Sequence, residues 1–425
     1  MSRVHSTTSH IERDLQHAVQ QSALDVSIRY YYLDWLRVGA FGLLVLYHIG
    51  MLYSEHWGFH FKSAYLSTAV ENIMLFVSPW RMALIWFISG AAIRCLVDKQ
   101  SRWGFLANRT VVILLPLLVG VWLVVPIQLF AQLQQEQGIS LSLVEFFTAF
   151  FNFSSPLFES YSAGIWPHVD VNHLWYLRSL WQFSLIIIIV APLLCCSGVQ
   201  NGVTRLLDTS MGVCFCVCAL PLLLLKFIWP EDTFRYPMGF VFLMYGFVFV
   251  HQSRFFARLG ECAFILLALY LTIYLSLLYG YHDVWLNAEA TQLQKELVKG
   301  LYTIAGVIGV AMVIGFGVRF LNFPSTTIKW LNQFVFPFYV LHQSVLIALA
   351  FYLAPFQLGG IVEPMAIIIG TFSICTLMCW GIARHDILRL CFGAKVDLNY
   401  QTPQGKRQRA LGLLVVTPLI VELLY

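Results

Sequence analysis

Residues 33–48 read LDWLRVGAFGLLVLYH and open an apolar run, 33–53, long enough to cross a bilayer. The run nevertheless carries Asp34, Arg37 and His48. An ionisable group costs several kcal/mol inside a membrane helix, so each of the three is a candidate functional residue. Arg37 and His48 are eleven residues apart. At ~100° per residue that is three turns plus roughly 20°, a separation of ~16 Å along the axis. Asp34 falls within about 40° of the same face. The three line one stripe, as one wall of a polar cleft through a membrane would.

The whole chain agrees. Of 425 residues, 59% are hydrophobic and only 11% charged, and the mean hydropathy is +0.73. Soluble domains carry about 25% charged residues, so this is an all-α polytopic membrane protein. Apolar runs of ~20 residues predict ten spans, near 33–53, 73–94, 110–131, 173–195, 209–229, 238–251, 262–280, 298–318, 328–352 and 361–383. The 238–251 run is the shortest. A further run at 410–425 contains Pro418 and is read as interfacial or packed on the bundle. With an inside N-terminus, eighteen Lys and Arg fall in inside segments and five (Lys62, Lys226, Arg235, Lys295, Lys299) in outside ones. That asymmetry predicts ten spans with both termini cytoplasmic. Residues 1–30 are polar, lack a signal-peptide core, and predict a short cytoplasmic amphipathic helix. Residues 31–385 then form the membrane domain and 386–425 a cytoplasmic tail.

Other features read as structure. The ten cysteines contain no C-x-x-C pair and are small core residues, so neither disulfides nor a metal is expected. Gly300, Ala305, Gly306, Gly309, Gly315 and Gly317 give the eighth span a face for close helix packing. The outside loop 132–172 has no Lys or Arg but is rich in Phe. It is expected to lie partly in the interface, stacking on a sugar being the sharper reading.

Several costly groups share one depth. His48 lies in the outer half of span one. Arg81, beside Pro79, enters span two from outside, and Pro79 predicts a local helix break with carbonyls lining a cavity. His173, Trp175 and Arg178 open span four, and His342 lies just past the middle of span nine. Arg37, Arg102 and Arg109 sit below them. Each residue has a plain alternative: core packing for His48 and His342, pairing of Arg81 with Glu71, interface anchoring for His173 and Trp175. Together they suit transfer between compartments. A histidine takes a proton from a hydroxyl near neutral pH, and arginines at the inner face hold phosphates. A donor with a phosphate-rich head and a long arm, such as a coenzyme A thioester, has the matching shape.

Four motifs then occur in order: Leu33-Asp34-x-Leu36-Arg37-(x10)-His48, Phe87-Ile88-Ser89-Gly90, His173-Leu174-Trp175-Tyr176-Leu177 and Phe336-Pro337-Phe338-Tyr339-Val340-Leu341-His342. Over residues 30–385 the chain resembles the membrane acyltransferase-3 family. Ser78-Pro79-Trp80-Arg81-Met82 is most similar to its branch that succinylates periplasmic glucans. The resemblance implies ten membrane helices and an inner-membrane O-acyltransferase. It would move a succinyl or acetyl group from cytoplasmic acyl-CoA, a co-substrate rather than a bound cofactor, to an extracytoplasmic carbohydrate. His48 corresponds to the essential histidine and Arg37 to the arginine before it. Arg109 matches the first arginine of an Arg-x-x-Arg pair preceding a proline, here Pro116. Val112 holds the second position, which leaves Arg102 or Lys99 to substitute.

On this reading His48 is the general base. Arg81 and His342 polarise the carbonyl or place the acceptor, and Asp34 and Arg37 line the donor channel or pair with each other. Arg109, His173, Trp175 and Arg178 contact substrate. Expected partners are the acyl-CoA donor, the carbohydrate acceptor and the lipid bilayer; no nucleic acid is expected, and a homo-oligomer is left open. Two other readings fit the layout: a transporter or flippase for a sugar or lipid-linked sugar, with helices broken at Pro79 and Pro337, and a haem protein ligated by His48 and His342.

Overall fold

A computed structural model describes residues 30–152, 154–159, 171–394, 410 and 412–420. The predicted N-terminal amphipathic helix lies outside the described residues, as do Phe153 and Trp166. The described residues contain helices and no strand. The long ones are α1 (Tyr31–Tyr53), α2 (Thr68–Val97), α3 (Arg102–Val119) continuing through a π-helical turn (Gly120–Val124) into α4 (Val125–Gln137), a short α5 (Leu143–Phe150), α6 (Trp175–Leu194), α7 (Ser197–Asp208), α8 (Met211–Ile228), α9 (Arg235–Phe249), α10 (Ser253–Glu261), α11 (Ala263–Tyr279) running into a π-helix (Gly280–Trp285), α12 (Gln292–Phe320), α13 (Thr326–Leu331), α14 (Val335–Leu353) and α15 (Gly359–Ile382). Nine are long and apolar enough to cross a membrane, ten if the α9–α10 pair counts as one span. That pair bends by 108°. α9 alone rises only ~22 Å. α10 turns aside with Phe256 and Leu259 buried, while Arg254 pairs with Asp208.

Apolar helices in lipid associate by close packing rather than by the hydrophobic effect. α2 is the hub, packed against α1, α9 and α12. Its tightest crossing is with α9. A Cβ on Gly90 would lie 1.8 Å from the Leu243 carbonyl oxygen, and one on Gly246 would lie 1.8 Å from that of Phe87. The Phe87–Gly90 motif is therefore a backbone-to-backbone contact. The glycine face of α12 packs as expected, with Gly309 against Trp80 and Gly315 against the Leu259 carbonyl.

Two expectations are corrected. Pro79 does not break α2, which runs unbroken from Thr68 to Val97. The carbonyls near it are capped from neighbouring side chains: Trp80 Nε1 and the Tyr270 hydroxyl donate to Phe76 O, and the Tyr274 hydroxyl donates to Asn72 O. In the loop 132–172 the rings of Phe146, Phe150 and Phe158 are buried against one another and Phe130, while Val144 and Phe151 are exposed. Nor does Pro337 break a helix: α13 ends at Leu331 and α14 begins at Val335, placing Pro337 in its first turn. There its missing N–H costs nothing. Helical residues 412–420 pack on the bundle, with Val416 and Leu419 buried and Gly412 against Val111.

Candidate active site

The end of the bundle carrying Tyr53 is called the upper end. His48 lies ~7.5 Å below it on α1. His342, mid-way along α14 and fully buried, meets it. His48 Nδ1 and His342 Nε2 are 2.8 Å apart, with ring centroids 5.1 Å apart. The opposite nitrogen, His342 Nδ1, lies 2.7 Å from the Tyr339 carbonyl oxygen. A carbonyl only accepts, so Nδ1 of His342 carries the proton and Nε2 of the neutral ring is a lone pair. His48 therefore donates from Nδ1, and its Nε2 is left as an unprotonated nitrogen on a ring that lines a cavity. The chain Tyr339–His342–His48 fixes one tautomer. Phe59 stacks on His48 at 6.2 Å and 16°. The two nitrogens bond each other directly rather than standing apart as a pair of axial ligands would.

The cavity is about 350 Å³ and is walled by Arg81, Ser78, Trp175, Tyr302 and Tyr339 among others. Arg81 lies over the Tyr47 ring, its guanidinium carbon 3.5 Å from the centroid, and its Nε is buried without a partner. It does not pair with Glu71, whose oxygens accept from His56 N (2.8 Å), His56 Nδ1 (3.1 Å) and the Tyr281 hydroxyl. Among the described residues no carboxylate lies within ion-pair distance of Arg81.

His173 also borders the cavity, but both its ring nitrogens are committed to the protein. Nε2 donates to Val340 O (3.1 Å), and Nδ1 accepts from Gln128 Nε2 (3.1 Å). Gln128 continues to Ser344 and Gln343. The result is a satisfied buried network that locks α4, α14 and the start of α6 together. Trp175 lines the cavity, with Arg235 over its ring at 4.9 Å. Arg178 stands behind it, donating to the Tyr236 hydroxyl at 3.0 Å, and does not line the cavity.

A family model described as an acyltransferase domain matches residues 30–383. The chain belongs to the acyltransferase-3 family. Similar proteins include two named glucans biosynthesis protein C, from Escherichia coli O1:K1 / APEC and Escherichia coli strain UTI89 / UPEC. Each is 24% identical over 395 residues, covering 86% of this chain and 95% of the relative. No solved structure matches the chain. As a member of the acyltransferase-3 family it is a membrane acyltransferase, and its motifs acquire physical roles. Arg37-x10-His48 spaces the two polar ends of α1, Phe87–Gly90 seats α9, His173 locks the bundle, and Tyr339 and His342 orient His48.

At the lower end stand Arg37 on α1 and Arg109 on α3. Both lie near Tyr176, whose hydroxyl bonds Ser89 at 2.5 Å. Arg109 Nε is buried without a partner. Asp34 does not pair with Arg37: no carboxylate lies within ion-pair distance of Arg37 among the described residues. Instead, the Asp34 carbonyl accepts from Asn332 Nδ2 (3.3 Å). Val112 sits one turn above Arg109, while Arg102 and Lys99 are exposed below. A second cavity of about 530 Å³, almost wholly apolar, runs between α1, α13–α14 and α15 from Val38 to His342.

Sequence reasoning missed the loop 54–67. Lys62 Nζ donates to Met51 O, Ser54 O and Ser54 Oγ at 2.9, 2.5 and 2.9 Å, and burial pushes its amine down from the ordinary value. Glu71 holds His56, and Glu363 accepts from Tyr53 (3.2 Å) and Ser63 (2.6 Å). This pinned loop carries Trp57 and Phe59 over the site. The available signal was Glu71 and Glu363, acids within apolar runs.

Proposed function

We propose that the protein transfers an acyl group from cytoplasmic acyl-CoA to a hydroxyl of a carbohydrate on the other side of the inner membrane. The relatives' names point to a glucan, and the acyl group is succinyl or acetyl. The lower end faces the cytoplasm, as the Lys and Arg distribution predicts. Arg37 and Arg109 would hold the phosphates of the donor there, and its arm would extend upward so that the thioester reaches His48.

The observation that carries this reading is the contact chain from the Tyr339 carbonyl through His342 to His48 Nδ1, from which the tautomer of His48 follows. An acceptor hydroxyl presents its proton to the free Nε2. As its oxygen attacks the thioester carbonyl, the proton passes to Nε2 and the imidazolium is stabilised through Nδ1–H to His342. The oxyanion of the tetrahedral intermediate lies beside Arg81, a positive group held against the Tyr47 ring. Collapse breaks the carbon–sulfur bond, the ester is formed, and His48 returns the proton to the departing thiolate. Arg81 contacts the reacting atoms; His342 is a positioning residue.

The test is release of free CoA by purified, reconstituted protein with acetyl-CoA and with succinyl-CoA, a linear glucan oligosaccharide being present as acceptor. His48→Ala is expected to lose at least ~100-fold in rate, the scale of a general base. Unchanged CoA release in that variant would reject the base. No CoA release by the wild type, with uptake or flipping of a sugar in vesicles instead, would establish the transporter reading.

A further inference from the structure

Beside the catalytic cavity lies a second upper cavity of about 370 Å³ that the reaction described above does not use. Five of its lining residues are aromatic: Tyr47, Trp57, Tyr281, Trp285 and Tyr302. We propose that this cavity is the seat of the acceptor, holding one sugar ring of a neutral glucan so that the adjoining hydroxyl reaches His48. The inference rests on the acyl-transfer reading and supplies the acceptor's address within it.

Its position comes first. The two cavities share Ser78, Tyr302, Lys226 and Glu231 as lining residues. The partition between them is thin: Ser78 Oγ lies 2.8 Å from the Tyr302 hydroxyl and 3.3 Å from that of Tyr47. Tyr47 is the neighbour of His48 in sequence and the ring on which Arg81 rests. A ring seated in the second cavity is therefore one side chain away from the free nitrogen of His48.

The chemistry of the walls comes next. Flat aromatic faces with polar edges suit a ligand that is apolar on its ring faces and polar around its rim, as a pyranose is. The faces here are held rigidly. Trp57 Nε1 donates to the Tyr281 hydroxyl at 2.8 Å, which in turn donates to buried Glu71. Tyr281 and Trp285 both come from the π-helix Gly280–Trp285, closed by a bond from Leu286 N to Tyr281 O at 3.0 Å. Such turns are rare and recur at functional sites.

The rim is polar on the remaining side. Glu231 bridges Lys299 (2.8 Å) and Lys226 (3.6 Å), and Lys299 lies 5.6 Å from the Trp285 ring centroid. These groups donate to and accept from hydroxyls. A hydrocarbon chain would cover this ion-paired rim without bonding to it, and an anion would meet Glu231.

The experiment uses the full-length protein in proteoliposomes, with a linear glucan oligosaccharide as acceptor. Trp285→Ala is expected to raise KM for the oligosaccharide about 10-fold, the loss of one aromatic contact. KM for acyl-CoA and kcat at saturating oligosaccharide stay at wild-type values, and Trp285→Phe recovers most of the loss. A second arm titrates the oligosaccharide into His48→Ala protein and follows tryptophan fluorescence. Saturable quenching is expected, and it disappears when Trp285→Ala is added. An unchanged acceptor KM in Trp285→Ala, a shift confined to the donor KM, or no quenching each overturns the proposal. Quenching in a protein whose wild type transfers nothing would keep the sugar site and reject the acyl-transfer reading instead.

Discussion

Replacing His342 separates the acyl-transfer relay from its alternatives most cleanly. His342 touches no cavity substrate on the catalytic side; it acts through the 2.8 Å bond to His48 Nδ1. When His48 holds the transferred proton, that bond joins a cation to a neutral acceptor. A hydrogen bond to a charged group contributes ~1.5–3 kcal/mol. At about 1.4 kcal/mol per factor of ten, His342→Leu should lower kcat about 10- to 150-fold, with the donor KM unchanged. His342→Gln offers a carbonyl oxygen in place of Nε2 and is expected to recover part of the rate. The assay is steady-state CoA release by reconstituted protein, with thermal unfolding of each variant alongside, because the side chain is buried and its Nδ1 bonds Tyr339 O. Full activity in a folded His342→Leu protein would refute the relay. So would a defect that Gln and Leu share equally together with lowered stability, since that marks packing rather than tautomer control.

Three further outcomes are expected. Arg109→Ala should raise KM for acyl-CoA about 10-fold, as loss of a charged hydrogen bond does, yet leave KM for an acyl-pantetheine without the nucleotide unchanged; equal effects on both donors would remove the phosphate role. Gly90→Ala drives a Cβ to 1.8 Å from Leu243 O and should destabilise the protein by about 3 kcal/mol, the upper range for overpacking; a thermal midpoint equal to wild type would show that α2 and α9 do not touch by backbone. Glu71→Gln replaces an acceptor of three hydrogen bonds and should release the loop 54–67 to limited proteolysis while raising the acceptor KM; wild-type protection of that loop would show that Glu71 does not anchor it.

The membrane architecture was legible because hydropathy and charge are properties of short windows. Runs of ~20 apolar residues predicted the spans, the shortest of them being α9, and the eleven-residue spacing placed Arg37 and His48 on one face. The failures share a cause. Pro79 reads as a break because its missing N–H is local, whereas the groups that cap the nearby carbonyls, Tyr270 and Tyr274, come from a helix some two hundred residues away. Arg81 and Glu71 look like a pair in one helix, but Glu71 is claimed by His56 and Tyr281. His173 looks like a ligand group until Gln128 and Val340 take both its nitrogens.

The sequence by itself determined that this chain spans a membrane as helices, and which helix faces are polar, because the 3.6-residue period and the cost of burying charge act on each segment alone. Only the tertiary structure decided what those polar groups do. The partner that gives His48 its tautomer lies 294 residues away, and the aromatic residues of the cleft beside it come from four separate segments. Hydrogen bonds have directions and ranges of a few ångströms. Which donor meets which acceptor is therefore set by how closely the helices pack, and here that closeness depends on glycines such as Gly90 and Gly246 at the crossings.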